Sequence, residues 1–226
     1  MTKFLQDIAI VLAALVILLF LANTASRRSF DENYASTVMI EGNSVGSGIV
    51  VNENYIITAL HVVRSHKENK FFAIPFDQKN SYQIEVYATD EATDLALLRY
   101  SSSDQVLPTA KFACTTPNLF TDVYAIGNPA NRRFFVSKGI VTSKEVIGLP
   151  MADDFRKEYH FAYTLSLPIY LGNSGGPVFE EGSGNVVGMI DAVSKFGEGF
   201  SPMAFAVKPQ ALCDFLDKYK IKYDRG

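Results

Sequence analysis

The chain opens with one long apolar run and changes, beyond residue 30, to short apolar stretches separated by polar and turn residues. Fifteen apolar residues follow one another from Ile8 to Ala22, and the stretch 8–25 contains 18 residues. A helix that spans a bilayer needs about 17–25 residues. A buried core helix would show a polar face at helical spacing, and this run has none. The pattern therefore predicts a transmembrane helix over about 8–25, followed by a short tether that ends near residue 30.

A cleaved signal peptide is the alternative interpretation of this segment. Lys3 supplies a weak positive flank, but a cut after Ala25 leaves Asn23 where a small residue is needed. Arg27 and Arg28 place positive charge on the other side of the run. The positive-inside rule therefore does not decide which way such a helix would be oriented.

Beyond residue 30, stretches rich in Val, Ile, Phe and Tyr recur between turn residues. Many short strands at this spacing are typical of an all-β barrel or sandwich. The predicted strands are Thr37–Glu41, Gly46–Val51, Tyr55–Thr58, Lys70–Ile74, Gln83–Ala88, Leu95–Tyr100, Val123–Gly127, Phe134–Val146, Tyr159–Leu165, Pro177–Phe179, Val186–Val193 and Met203–Val207.

The polar interval 101–117 divides these strands into two groups of six and predicts a linker between two halves. The first barrel would occupy about 36–105 and the second about 118–207, within one domain over 31–226. The predicted fold class is therefore all-β, with two six-stranded antiparallel barrels.

One helix is predicted after the last strand, over about 209–219. Leu212, Phe215, Leu216 and Tyr219 recur at the spacing of one helix face, and Pro209 suits a first helical turn. This C-terminal helix would close the domain.

Composition narrows the class of protein further. Of 226 residues, 48% are apolar and 20% are charged, which excludes a disordered chain. A net charge of −3 without a basic run argues against nucleic-acid binding. Two cysteines are too few for a disulfide-stapled scaffold. The three histidines and two cysteines show no metal-ligand spacing, so neither a metal nor another cofactor is expected.

The strongest chemical signal is the hexapeptide GNSGGP at residues 172–177. A nucleophilic serine must lie on a tight turn with its hydroxyl exposed, and backbone N–H groups beside it must converge on a developing oxyanion. Glycines on both sides of Ser174 permit such a turn. A glycine-rich β-turn that merely contains serine is the alternative.

A nucleophilic serine needs a general base, and three histidines are available. His61 directly follows the predicted strand Tyr55–Thr58, so it would be held rigidly at a strand end. His66 lies in a polar stretch typical of a solvated surface. His160 lies in a predicted strand, where a packing role is more usual than catalysis.

Asp94 precedes an apolar strand, where a semi-buried carboxylate can hold an imidazole in its productive tautomer. Asp90 and Glu91, in the polar stretch before it, are alternatives. The order His61, Asp94, Ser174, with each residue next to a predicted strand, favours a catalytic triad.

These three segments resemble the catalytic motifs of trypsin-like, chymotrypsin-fold serine endopeptidases. The sequence AIGNP at 125–129 and GIVT at 139–142 are similar to the bacterial high-temperature-requirement (Deg/HtrA) branch. The resemblance covers about 35–218. It implies perpendicular barrels with the site between them, and an oxyanion hole formed by the N–H groups of Gly172 and Ser174.

The chain differs from the pattern of these families at two places. Asn173 stands where digestive members carry an aspartate that pairs with a newly cut N-terminus, so we expect no activation of that kind. Only seven residues follow Tyr219, so the PDZ domain usual in the Deg/HtrA branch is expected to be lacking. The oligomeric state stays undetermined.

The resemblance also implies a substrate pocket lined by residues before the nucleophile and by two later strands. The candidates are Pro168, Ile169, Tyr170, Leu171, Asp191, Ala192, Val193 and Ala204. These walls are mainly apolar, and no acid stands at the position that selects Lys or Arg. Cleavage after small or medium aliphatic residues is the resulting hypothesis, although the sequence leaves undecided whether Asp191 faces the pocket.

The cysteines lie in regions that pack near each other in this fold. Cys114 falls in the predicted linker and Cys213 on the C-terminal helix. A disulfide between them is one hypothesis, and two buried free thiols are the alternative. The disulfide would favour an oxidising compartment.

Together these features predict a membrane-anchored serine endopeptidase that cleaves protein substrates through an acyl-enzyme. The predicted partners are protein or peptide substrates and the lipid bilayer. The predicted location is a bacterial inner membrane, with the catalytic domain on the periplasmic or extracellular side. The alternative is a membrane-bound peptide-binding or sensor module that uses a protease fold with little or no turnover.

Overall fold

The computed structural model describes residues 2–42, 45–64, 71–77, 79–101, 106–129, 132–145, 162–196 and 199–226, without the side chains of 2–4, 22–29, 193–196 and 199–202. The elements in chain order are α1 Thr2–Ala35, β1 Thr37–Glu41, β2 Val45–Val50, β3 Tyr55–Ala59, α2 Leu60–Arg64, β4 Phe71–Pro75, β5 Tyr82–Asp90, β6 Leu95–Tyr100, β7 Lys111–Phe112, β8 Asp122–Gly127, β9 Phe135–Ser143, β10 Ala162–Ser166, β11 Pro177–Glu180, β12 Val186–Phe196, β13 Gly199–Val207, α3 Pro209–Lys218 and β14 Asp224–Arg225.

The first six strands close into an antiparallel barrel in the order β1-β2-β3-β6-β5-β4. Ile56 of β3, Leu97 of β6 and Ile84 of β5 are fully buried in its core. The same core continues through Leu212 and Phe215 of α3. The C-terminal helix is therefore part of the main hydrophobic core, as its apolar spacing predicts.

The second barrel contains strands β11-β8-β9-β10-β13-β12 and is closed by pairing between β11 and β12. It has its own core, in which Val123, Tyr163, Leu165 and Ile190 are almost wholly buried. Strand β7 pairs in parallel with β12, and β14 in parallel with β7. These two short strands lie outside the barrel and join the linker and the C-terminus to the second sheet.

The predicted all-β fold with two six-stranded barrels and a C-terminal helix is confirmed. The strand boundaries differ by a few residues, and the predicted linker 101–117 contains β7. The predicted strand from Phe134 begins one residue later, because Phe134 has a φ of 55° and lies in the left-handed region. Its predicted end at Val146 lies outside the described residues.

Helix α1 continues well past the predicted end of the tether, to Ala35. Its last turns dock on the second barrel, where the amide of Asn33 donates to the hydroxyl of Tyr124 at 2.8 Å and to the carbonyl oxygen of Gly184 at 2.7 Å. The ring of Phe30 lies 5.5 Å from that of Tyr124. Residues near 30–35 are therefore a docked helix end.

Within the described part of the chain, no helix combines the length and the apolar character required to cross a membrane. The predicted transmembrane segment 8–25 is therefore not confirmed.

Candidate active site

His61 and Asp94 meet at the open end of the first barrel. His61 lies in α2, immediately after β3, and Asp94 ends the β5–β6 turn with a φ of 53°. The Asp94 carboxylate accepts the backbone N–H of His61 at 3.1 Å and faces its ring Nδ1 at 2.5 Å. The backbone carbonyl oxygen of Asp94 also accepts the N–H of Leu60 at 2.8 Å. These contacts favour the tautomer with its proton on Nδ1, which leaves Nε2 free to accept a proton.

The other acids considered for this role lie elsewhere. Asp90 accepts the backbone N–H of Ala92 at 2.9 Å, and Glu91 forms an exposed ion pair with Arg64. His66 and His160 lie outside the described residues.

Ser174 lies on the loop between β10 and β11, which crosses the cleft between the barrels. Gly172 and Gly175 have φ angles of 104° and 82°, in the left-handed region that glycine adopts without strain. A Cβ atom at Gly172 would collide with the carbonyl oxygen of Asn128, and one at Gly175 with Ser47. Both glycines are therefore required by conformation and by close packing.

The Ser174 hydroxyl donates to the backbone carbonyl oxygen of Asp191 at 3.2 Å. No hydrogen bond joins it to His61 among the described residues. Within that part of the chain, the N–H groups of Gly172 and Ser174 also have no acceptor. The loop thus presents two unpartnered donors beside a hydroxyl that points towards β12.

Asp191 is a second buried acid next to the His61–Asp94 pair. It is 4% exposed, and its carboxylate oxygen lies 4.0 Å from Nδ1 of His61. Burial raises the pKa of Asp191 to about 7, and the charge of Asp94 and a hydrogen bond with it act in the same direction. A ring nitrogen of His61 and one carboxylate oxygen each of Asp94 and Asp191 lie within 4.8 Å of one another. The spacing of these residues along the sequence does not reveal this grouping.

The pKa of His61 is raised above its ordinary value. Burial alone would lower it, but the hydrogen bond and charge of Asp94, together with the charge of Asp191, outweigh that effect. The same carboxylates therefore hold His61 more basic than a free imidazole.

The predicted pocket residues are only partly brought together. Tyr170 and Leu171 are 50% and 68% exposed, whereas Ile169 and Ala204 are buried. Pro168 is exposed and Ala192 is half-buried. Val193 pairs with Ala204 through the backbone, but its side chain is not among those described.

A concave surface of about 320 Å³ lies beside Tyr170, lined also by Pro129, Arg132 and Phe135. The structure places the Asp191 carboxyl against His61 and Asp94 instead of in this surface. The pocket itself stays a prediction.

Two residues that sequence reasoning did not assign to the site, Ser47 and Asn128, join the barrels beneath the Ser174 loop. The Ser47 hydroxyl donates to the carbonyl oxygen of Gly172 at 2.8 Å. It accepts the backbone and side-chain N–H groups of Asn128 at 3.1 and 3.0 Å. The backbone N–H of Ser47 donates to the carbonyl oxygen of Ser174 at 2.9 Å. The sequence signals were the small residues around Ser47 and, for Asn128, its place in the AIGNP segment directly after a strand.

The two cysteines are brought together. Their sulfur atoms are 2.08 Å apart and their Cα atoms 5.8 Å apart, across 99 positions of sequence. Cys213 of α3 is 1% exposed. The linker is thus tied to the C-terminal helix.

Comparison with known families agrees with this arrangement. A model of the trypsin-like peptidase domain matches residues 46–189. A probable periplasmic serine endoprotease, DegP-like, from Pseudomonas savastanoi pv. phaseolicola is 31% identical over 190 residues, which are 82% of this chain and 37% of that protein. The magnetosome formation protease MamE from Magnetospirillum gryphiswaldense is 32% identical over 167 residues, 73% of this chain and 21% of that protein. The chain thus spans between about a fifth and little more than a third of the length of these relatives.

Among solved structures, an inactive form of Rv3671c from M. tuberculosis superposes with a TM-score of 0.69 at 20% identity, covering 84% of this chain and 89% of that one. At this identity the likeness concerns the fold alone. The family match covers more than half of the chain, and it includes the segments that carry His61, Asp94 and Ser174. The chain therefore belongs to the trypsin-like peptidase domain family.

Proposed function

We propose that the protein is a serine endopeptidase in which Ser174 is the nucleophile, His61 the general base and then acid, and Asp94 the residue that orients His61. The observation that carries the proposal is the Asp94 carboxylate, which binds both the ring and the backbone N–H of His61. Family membership and the two unpartnered N–H groups beside Ser174 support it.

The proposed reaction proceeds through an acyl-enzyme. Nε2 of His61 takes the hydroxyl proton of Ser174 while Oγ forms a bond to the peptide carbonyl carbon. The resulting oxyanion accepts the N–H groups of Gly172 and Ser174. His61 then gives the proton to the departing amine. A water molecule then attacks the acyl carbon while His61 takes one of its protons; the bond from that carbon to Oγ breaks, His61 returns the proton to Oγ, and the acid product leaves.

A fluorophosphonate probe tests this proposal, because it reacts with an activated serine. The full chain should be labelled once, at Ser174. Ser174→Ala should abolish labelling and the hydrolysis of fluorescent casein, while circular dichroism and thermal unfolding stay unchanged. His61→Ala should slow both by several orders of magnitude. Casein hydrolysis retained in purified Ser174→Ala would refute the mechanism.

A second candidate function is a peptide-binding or sensor module without turnover. The observation that favours it is the Ser174 hydroxyl, which donates to Asp191 and not to His61. In structures without substrate such bonds are often displaced and form only in the complex, so the endopeptidase is preferred. Absence of labelling, with tight binding of an unfolded protein, would support the second candidate.

We further propose that α1 associates with a lipid bilayer. Leu15, Val16, Ile17 and Leu19 are 54–64% exposed, and the run 8–22 carries no charged residue. Such side chains are stabilised by transfer into hydrocarbon. The full chain should float with phosphatidylglycerol vesicles. Leu15→Glu combined with Leu19→Glu should abolish flotation without changing labelling by the probe.

We propose an oxidising part of the bacterial envelope as the site of action. The disulfide and the relatives named as periplasmic support this location. Cells carrying the full chain should yield the disulfide-bonded form when thiols are blocked before lysis. Recovery of both cysteines as free thiols would contradict the proposal.

A further inference from the structure

The loop that carries the proposed oxyanion hole needs an anchor, because the ion pair that orders it in activated digestive proteases requires an acid where Asn173 stands. Asn173 is 4% exposed, and its backbone N–H donates to the carbonyl oxygen of Tyr170 at 3.1 Å. That contact lies within the loop itself. The contacts that hold this loop must therefore come from residues outside the loop.

We propose that Ser47 and Asn128 are positioning residues that hold the Gly172–Ser174 segment in the conformation required for an oxyanion hole. This inference rests on the proposed function of the same site. Both residues are fully buried. Ser47 belongs to β2 of the first barrel, and Asn128 follows β8 of the second, so the pair bridges the two barrels under the loop.

Ser47 fixes the loop at two peptide groups. Its hydroxyl donates to the carbonyl oxygen of Gly172, and its backbone N–H donates to that of Ser174. These carbonyl groups belong to the 172–173 and 174–175 peptides, so the two fixed peptides flank the 173–174 peptide that carries the N–H of Ser174. The N–H groups of Gly172 and Ser174 are left without acceptors in the described structure, as an oxyanion hole requires.

Asn128 fixes the direction of the Ser47 hydroxyl. A hydroxyl offers one donor and two acceptor sites. Both acceptor sites are filled by N–H groups of Asn128, so the proton can only be directed at Gly172. The amide of Asn128 cannot flip without cost, because its Oδ1 accepts the backbone N–H of Phe134 at 3.0 Å. The Ser47 hydroxyl and the side-chain oxygen and nitrogen of Asn128 therefore all have assigned hydrogen-bond partners.

The first test is Ser47→Ala, measured with the fluorophosphonate probe and with casein. Loss of one oxyanion donor typically lowers kcat by about 100–1000-fold. Because this variant misplaces the donors without deleting them, we expect kcat and the labelling rate to fall by about 10–100-fold, with KM within about twofold. Tyr163→Phe is the matched control, since it removes one buried hydrogen bond, to Val187 at 2.8 Å, away from the loop.

Asn128→Asp is a second variant that keeps the shape of the site. One carboxylate oxygen can still accept the N–H of Phe134. The other would attract the Ser47 hydroxyl, which would then leave the carbonyl oxygen of Gly172. We expect the same selective loss of kcat. If Ser47→Ala fails to fold, Asn128→Asp alone tests whether the pair positions the Gly172–Ser174 segment.

The outcomes separate this inference from the proposed function. If the wild-type chain is labelled no faster than Ser174→Ala, the proposed function fails and the anchor has no oxyanion hole to serve. If the wild type is labelled and both anchor variants match Tyr163→Phe in labelling rate and kcat, the inference is overturned. A rise in KM at unchanged kcat would also overturn it, since that pattern indicates lost substrate binding.

Discussion

Replacing Asp191 by Asn should change how the stability of the fold depends on pH. The pKa of Asp191 rises from 3.8 to about 7 in the folded state. One pKa unit corresponds to about 1.4 kcal/mol, so the difference of about 3 corresponds to about 4 kcal/mol. Asn cannot ionise, but it can still offer N–H groups to Asp94, as a protonated carboxyl does.

The direction in which stability changes with pH follows from proton binding to Asp191. Between about pH 4 and pH 7 the folded protein keeps a proton on Asp191 that the unfolded chain releases. Folded stability therefore falls as pH rises through this window and is unaffected by this group below it. We expect the two proteins to have similar free energies of unfolding at pH 4. At pH 8, Asp191→Asn should be more stable than the unsubstituted protein by up to about 4 kcal/mol.

The assay is guanidinium unfolding at pH 4, 6 and 8 with the disulfide intact. Ser174→Ala serves as the common background, so that self-cleavage does not interfere. Asp224→Asn, which removes an exposed carboxyl on β14, is the matched control and should leave the pH dependence unchanged. The comparison is between Ser174→Ala alone and Ser174→Ala combined with Asp191→Asn. If the difference between their free energies of unfolding stays the same from pH 4 to pH 8, Asp191 does not hold its proton in the fold, and the reasoning is refuted.

Three further predictions concern activity and stability. Since the charge of Asp191 raises the pKa of His61, Asp191→Asn should move the acidic limb of the kcat/KM profile to lower pH; an unchanged limb would contradict this coupling. Replacing Cys114 and Cys213 by Ser should lower the free energy of unfolding by about 4–5 kcal/mol, given the 99 positions that the bridge spans, and equal denaturant midpoints would refute it. The Tyr34 hydroxyl donates to the carbonyl oxygen of Phe134 at 2.7 Å, and Phe134 in turn binds Asn128, so Tyr34→Phe should lower kcat several-fold at constant KM; an unchanged kcat would contradict a role of α1 in supporting the anchor.

The elements that sequence could predict are those whose pattern is local. The strands before His61 and after Asp94 are mainly apolar because both are buried on both faces along most of their length. The tight turn around Ser174 can be predicted because each left-handed position in it independently requires glycine. The helix α3 is visible because its apolar residues repeat at helical spacing.

What sequence could not predict depends on pairs of distant residues. Ser47 and Asn128 are 81 positions apart and carry no periodic signal, yet they share two hydrogen bonds. Asp191 lies in an apolar strand and is among the predicted pocket residues, but its carboxyl faces His61 and Asp94, which are remote in sequence. The sequence predicts no helix over residues 31–35, because the docking of this end of α1 depends on Tyr124 and Gly184, which are remote in sequence.

Asp191 contacts the proposed site twice, and these contacts indicate which movement the Ser174 hydroxyl must make before it can reach His61. Its carboxyl faces His61, while its backbone carbonyl oxygen accepts the Ser174 hydroxyl. The peptide groups around Ser174 are already fixed by Ser47, so the loop need not be rebuilt. Releasing the hydroxyl from the carbonyl oxygen of Asp191 requires rotation about the Cα–Cβ bond of Ser174, a change between staggered rotamers. Formation of the proposed triad would begin with this side-chain rotation, and a substrate that lies next to β12 would favour it by displacing the hydroxyl from that carbonyl oxygen.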